Sequence, residues 1–262
     1  MLIDFHAYAG HYPFRKLPFE SAQRVFETLG KAGISLSVVS NINAVFYRDA
    51  MQGNLELAPL LKGIDPSYYV TACVINPTYP GWREDFLVCV ERLGFRVLRL
   101  YPAYHAYRLG CPESLELVDL AAKLNVPVQI PCALENIRQR HWMDVAENPG
   151  VSDFKTLIQN SEADIVISNG PSEHIALALK DATQKRRGGV YYDFTRLYAL
   201  NGGIKRLVEA AGADRIVFGS LAPLQYIEPQ LVKLNFAPDF VPDGISFVDK
   251  LERNANILLR RP

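Results

Sequence analysis

The chain has 262 residues, 49% of them hydrophobic, with 28 basic and 28 acidic side chains. Such a balance, without any block of like charge, provides no field to attract nucleic acid or an anionic membrane surface. No apolar run approaches the roughly 18 to 20 residues needed to span a bilayer, and MLIDFHAYAG puts Asp4 and His6 where a secretory leader would be apolar, so a cytoplasmic protein with no nucleic-acid or membrane partner is expected.

Eight short runs rich in Val, Ile, Leu, Phe and Tyr succeed one another along the chain. They are Leu2 to Phe5, Ile34 to Ser40, Tyr68 to Ile75, Phe95 to Leu100, Val126 to Ile130, Asp164 to Ser168, Val190 to Phe194 and Ile216 to Gly219. Most lack polar alternation, which marks strands buried on both faces. Between them the spacing turns helical. Ala22, Val25, Phe26 and Leu29 fall on one face, as do Trp82, Phe86, Cys89, Val90 and Leu93. Gly33, Gly94 and Gly212 stand as helix stops, and Pro18 and Pro112 stand near helix starts. Strand and helix alternating in this way predict a parallel (β/α)8 barrel, a TIM barrel, formed as a single domain over residues 1–262.

The least regular long connection, Glu135 to Gly150, comes after the fifth strand and reads as a lid or binding loop. Gln225 to Val241, with Pro229 and Pro238 and with Pro242 just beyond, reads as an irregular tail. Phe247, Leu251, Ile257 and Leu258 then mark a last helix packing on the barrel. Cys73, Cys89, Cys111 and Cys132 show no CxxC pairing and read as reduced thiols.

Three segments, IDFHAYAG, LGFRVLRLYPAYHAY and DRIVFGSLAP with the terminal RNANILL, resemble the amidohydrolase superfamily, and its amidohydrolase-2 branch in particular. GNLELAPLLKG, VTACVINPTYPGW and NVPVQIP fall in the expected order, so the resemblance spans nearly the whole chain. It implies a metal-dependent hydrolase or decarboxylase whose ligands sit at strand ends. In those positions this chain departs from the family. His-x-His becomes His6 and Tyr8, the fifth-strand His becomes Pro131, the sixth-strand position holds Asn169, and Leu221 comes after Ser220 where the family has Asp.

A catalytic zinc needs about three protein ligands and an open position. With His6 alone surviving from that set, no tightly bound metal or other cofactor is expected. The alternative is one divalent metal such as zinc at a non-standard site rebuilt from His6, His11 and His105.

Active sites of such barrels lie at the C-terminal ends of the strands, which selects the candidates. His6 and Asp193 are the expected acid–base pair. Tyr8, Arg15, Arg99, Tyr101, Gln129, Asn169 and Ser220 are the expected substrate-binding groups. Arg15 is a possible carboxylate clamp, and the neutral amides and hydroxyls suit a carbonyl or hydroxyl. A salt bridge from Arg99 to Asp4 or Asp193 would make it structural, and Asp193 could instead pair with Arg196. Glu135, Arg138 and His141 are lid candidates. No G-x-S-x-G elbow supports a serine nucleophile.

The expected function is a hydrolase, or alternatively a lyase, for a small polar or carboxylated molecule, with an ester or lactone favoured over an amide. A non-catalytic ligand-binding barrel is the competing reading, and homo-oligomerisation stays open.

Overall fold

The computed structural model describes residues 2–19, 21–183, 186–237 and 246–261. Eight parallel strands pair in sequence order. They are β1 (Leu2–Ala9), β2 (Ile34–Asn41), β3 (Tyr69–Val74), β4 (Val97–Arg99), β5 (Val128–Pro131), β6 (Ile165–Ser168), β7 (Val190–Asp193) and β8 (Ile216–Val217). Asp4 bridges Phe218 in parallel, and the Phe5 amide donates to the Phe218 carbonyl at 2.8 Å, which joins β8 to β1 and closes the barrel.

The covering helices are α1 (Ala22–Lys31), α2 (Asn43–Phe46), α3 (Ala50–Leu60), α4 (Trp82–Leu87), α5 (Pro112–Lys123), α6 (Val151–Gln159), α7 (Ser172–Thr183), α8 (Gly203–Ala211), α9 (Glu228–Leu234) and α10 (Phe247–Leu258). The α1 face buries Ala22, Val25 and Leu29 as the spacing predicts, and Ser21 caps the helix through the Arg24 amide. The three glycine stops take φ of +84° (Gly33), +73° (Gly94) and +85° (Gly212), where a Cβ would be strained.

The second helical face is shorter than its spacing suggests. A π-helical turn over Val88–Arg92 continues α4. Its wider turn rotates the residues after it, so Phe86 and Cys89 are buried while Leu93 faces solvent.

Strands β4 and β8 are shorter than the apolar runs that announced them, and β1 is longer, reaching Ala9. In β1 the partner of Asp4 is Ser37 and that of Ala7 is Val39, so β1 holds one residue more than β2 across this stretch. Such a bulge commonly lies beside a functional site. It also leaves carbonyls in this stretch needing donors.

The interior is stratified. An apolar floor of Ile3, Phe5, Val38, Val97, Val166 and Val217 packs against Ala255 and Leu258 of α10. Above it lies a polar waist of Asp4, His6, Ser40, Arg99, Gln129, Ser168, Asp193 and Ser220, all fully buried. Over the waist sits a cap of Tyr8, Tyr12, Tyr101, Leu134, Leu221 and Leu224. The expected tail survives in part as α9, with Pro229 in its first turn, whereas Pro238, Val241 and Pro242 lie outside the described residues. No helix among the described residues is long and apolar enough to cross a membrane.

Candidate active site

At the end of β7, Asp193 anchors the rim. One oxygen of its side chain accepts from the amides of Asn169 (2.9 Å) and Thr195 (3.2 Å), and the other faces His6 Nδ1 at 3.4 Å. His6 Nε2 lies 2.8 Å from the Tyr8 hydroxyl, which lies 2.8 Å from that of Tyr101. The result is an unbroken side-chain sequence, Asp193–His6–Tyr8–Tyr101. Gly219 makes room for it, because a Cβ there would sit 2.8 Å from Asp193 Oδ2 and 3.2 Å from the His6 Cβ.

Burial sets the protonation. Desolvation pushes the His6 imidazole down to about 4, and the Asp193 contact only partly opposes this. At neutral pH the ring is therefore neutral, and its tautomer is set by its partners. With Nδ1–H donating to Asp193, Nε2 accepts from Tyr8, and Tyr8 accepts from Tyr101. Burial raises both tyrosines above their usual range, while the Arg99 guanidinium pulls each the other way.

Arg99 departs from the salt bridge expected of it. Nε donates to Gln129 Oε1 (2.7 Å), Nη1 to the Ala7 carbonyl (2.9 Å) and Ser40 Oγ (2.7 Å), and Nη2 to the carbonyls of Val38 (2.9 Å) and Phe5 (3.2 Å). These contacts use all five guanidinium donors. Neither Asp4 nor Asp193 pairs with it; the bulged stretch of β1 and the facing β2 carbonyl supply the acceptors that a carboxylate would have supplied. Its charge also lies over the Tyr8 ring, 5.0 Å from the centroid.

Gln129 passes the network on, donating to Ser168 Oγ at 2.8 Å. Asp4 accepts from Ser220 Oγ (2.5 Å) and from the amides of Ser220 and His6 (2.9 Å each), so Ser220 is held at the seam between β8 and β1. Burial nevertheless raises the Asp4 carboxyl.

Asn169 joins the pair to the next loop. Its backbone sits at φ +53°, its side-chain amide donates to the Ala133 carbonyl, and its Oδ1 accepts from Arg196 Nε at 2.8 Å. Arg196 thus contacts Asn169, and the alternative in which it pairs with Asp193 is not what forms. Its Nη2 is buried without a hydrogen-bond partner among the described residues, as are Glu135 Oε2 and the Tyr12 hydroxyl. Arg15 donates to Glu135 Oε1 (2.6 Å) and the Leu224 carbonyl (2.7 Å), which ties the first loop to the lid. In that lid His141 stacks on Phe14 at 5.3 Å, while Arg138 is exposed.

Two contributors were missed by the sequence reading as site residues. Arg196 was weighed only as a partner for Asp193, although DFTR places it three residues beyond that carboxylate. Lys233 comes from α9, and nothing local in the sequence says where α9 docks. Its Nζ donates to the carbonyls of Phe194 and Thr195 and to Gln230 Oε1, and burial pushes it down to about 8.

The rebuilt metal site does not assemble. His105 is buried against Tyr101, with neither ring nitrogen bonded among the described residues, and His11 is exposed. Among the described residues no three His, Cys, Asp or Glu side chains converge in a group that could hold a metal ion.

A family model described as Amidohydrolase matches residues 44–225. Comparison with curated proteins finds no match. Among solved structures, a putative amidohydrolase from Staphylococcus aureus superposes with a TM-score of 0.72 at 14% identity, covering 99% of each chain. A dihydroxybenzoic acid decarboxylase from Polaromonas, with bound manganese and the inhibitor 2-nitroresorcinol, gives 0.70 at 14% identity over 99% of this chain and 96% of that one. A 5-carboxyvanillate decarboxylase from Novosphingobium aromaticivorans, also with bound manganese, gives 0.67 at 13% identity over 99% and 97%.

Those manganese-bearing relatives overturn the expectation that no cofactor belongs to this barrel: a divalent cation is what such structures carry. The side chains at this mouth do not match one as arranged. Both His6 nitrogens are engaged, Asp4 is occupied by Ser220 and two amides, and Leu221 can neither ligate nor take a proton.

Proposed function

The chain belongs to the amidohydrolase family, and on that premise we propose that it is an enzyme for a small polar or carboxylated molecule, working by acid–base chemistry centred on His6 and Asp193. The observation that carries this reading is the buried Asp193–His6–Tyr8–Tyr101 sequence at the C-terminal face of the barrel. A neutral imidazole oriented by a carboxylate can accept a proton at Nε2, and Tyr8 extends that capacity to the Tyr101 oxygen. Arg196 Nη2, a cationic donor with no partner among the described residues, suits a substrate carboxylate or a developing oxyanion.

This arrangement suits two reaction classes: hydrolysis of an ester or lactone, and lyase chemistry on a carboxylated ring of the kind named for the solved decarboxylases. The test is turnover of a lactone, an activated ester, a small amide and a dihydroxybenzoate by the purified chain, with and without added manganese. Tyr8→Phe removes one hydroxyl, and His6→Asn removes the imidazole. Each should lower kcat about 10²- to 10⁴-fold while the circular dichroism spectrum is unchanged. Wild-type kcat in both variants would refute the reading.

A second reading, a barrel that binds without converting, is favoured by the cap. Tyr12, Leu221 and Leu224 help leave His6 with no exposed surface. Retention of an intact small molecule without turnover on any of the four substrates would select it.

A further inference from the structure

A cavity of about 1010 Å3 opens beside the barrel axis, between the loop after β4 and the lid. Its walls include Phe14, Phe46, Tyr104 and Tyr107. Phe14 meets Phe46 edge-on at 5.5 Å, and Phe46 meets Tyr104 edge-on at 5.5 Å, so the rings form a cornered wall rather than a flat stack. The volume is at the upper end for small-molecule sites.

The charges on this wall are unequal in standing. Glu113 lies in the first turn of α5, and Asp153 accepts from the Gly150 amide at the start of α6, where carboxylates offset helix dipoles. Arg108, the one guanidinium among the described wall residues, is largely exposed and pairs with Asp153 at 3.3 Å. Asp144 differs from both. It is only 4% exposed, and its described partners are neutral: the Tyr104 hydroxyl at 3.0 Å and the Ala146 amide at 3.4 Å. Arg140, four residues earlier, donates to the Ala146 carbonyl instead. Each Asp144 oxygen therefore accepts one hydrogen bond from a neutral donor, and no cation among the described residues forms an ion pair with it, which leaves its charge to a ligand. The Tyr107 hydroxyl, also on the wall and buried, has no hydrogen-bond partner among the described residues.

We infer that this cavity is a binding site for a small organic cation, a protonated or quaternary amine held between the Asp144 carboxylate and the faces of Phe46 and Tyr104. Ring faces attract a desolvated cation and do nothing for an anion of the same shape. The site stands independently of the acid–base reading, although Tyr104 also touches Tyr101, the last member of the buried sequence, at 6.4 Å between ring centroids.

Calorimetric titration of the full chain with benzyltrimethylammonium, benzyl alcohol and benzoate tests it, since the three share a ring and differ in charge. The cation should bind in the millimolar range or tighter, at least about tenfold better than either of the others, and more weakly as salt is raised. Asp144→Asn, which keeps an acceptor for Tyr104, and Phe46→Leu should each weaken it by about tenfold. Absence of measurable cation binding, equal affinity for benzoate, or full affinity in a folded Asp144→Asn protein would overturn the proposal. The wild-type charge and salt series decides the matter even if a variant fails to fold.

Discussion

Arg99 in the waist and Arg196 at the rim are the same side chain under opposite conditions. Arg99 finds an acceptor for each of its five N–H groups, all of them on β1, β2 and β5. Arg196 has Asn169 on Nε and, among the described residues, no acceptor on Nη2. A buried guanidinium with every donor matched welds strands together, whereas one with a donor left over is poised for a group that arrives from outside. The Arg99 side of the interior is thus built for the fold and the Arg196 side for a ligand, although both are polar.

Breaking the waist should have the largest effect of any single substitution. Arg99→Met strands the carbonyls of Phe5, Ala7 and Val38 together with Gln129 and Ser40, and should lower unfolding free energy by about 3–5 kcal/mol in urea titrations. A loss below about 1 kcal/mol would show that the acceptors find water or one another.

Acid should act next, through two imidazoles that burial holds near pKa 4, His6 and His105. The unfolded chain takes up those protons near pH 6.5 and the native chain only near 4. Between these values the unfolded state binds more protons, so stability falls as pH falls through this window, by on the order of 3 kcal/mol per imidazole at most. Melting temperatures recorded from pH 7 to pH 4.5 should show the decline, and His105→Phe should flatten about half of it. A flat profile in the wild type would contradict the buried neutral rings.

The rim should give the smallest change in stability. Arg196→Met loses one bonded donor and should cost about 1 kcal/mol or less, yet it should weaken a carboxylated ligand about tenfold. If instead it destabilised the chain as much as Arg99→Met does, the contrast between the two regions would disappear.

The barrel was legible because strands buried on both faces are rich in apolar residues and mostly lose the alternation of a solvated sheet, and all eight runs overlap an observed strand. Boundaries were less legible where tertiary pairing decides them, as in β4 and β8, or where a π-helical turn resets the helical phase before Leu93. His6 meets Asp193, and Tyr8 meets Tyr101, as strand-end positions allow. The acceptors of Arg99 were not readable, because backbone carbonyls freed by a bulge leave no mark in side-chain pattern. Lys233 was hidden for a related reason: its contacts depend on where a distant helix lands.

The row of hydroxyls and imidazole under the cap has a directional property. With Asp193 unprotonated, every proton along it points the same way, from Tyr101 through Tyr8 and His6 to the acid. Placing one proton on Asp193 lets the imidazole change tautomer and all the links turn round, with the heavy atoms left where they are. The electrical polarity of the barrel's upper interior can therefore invert without any change of shape, and the acid at one end selects its sign.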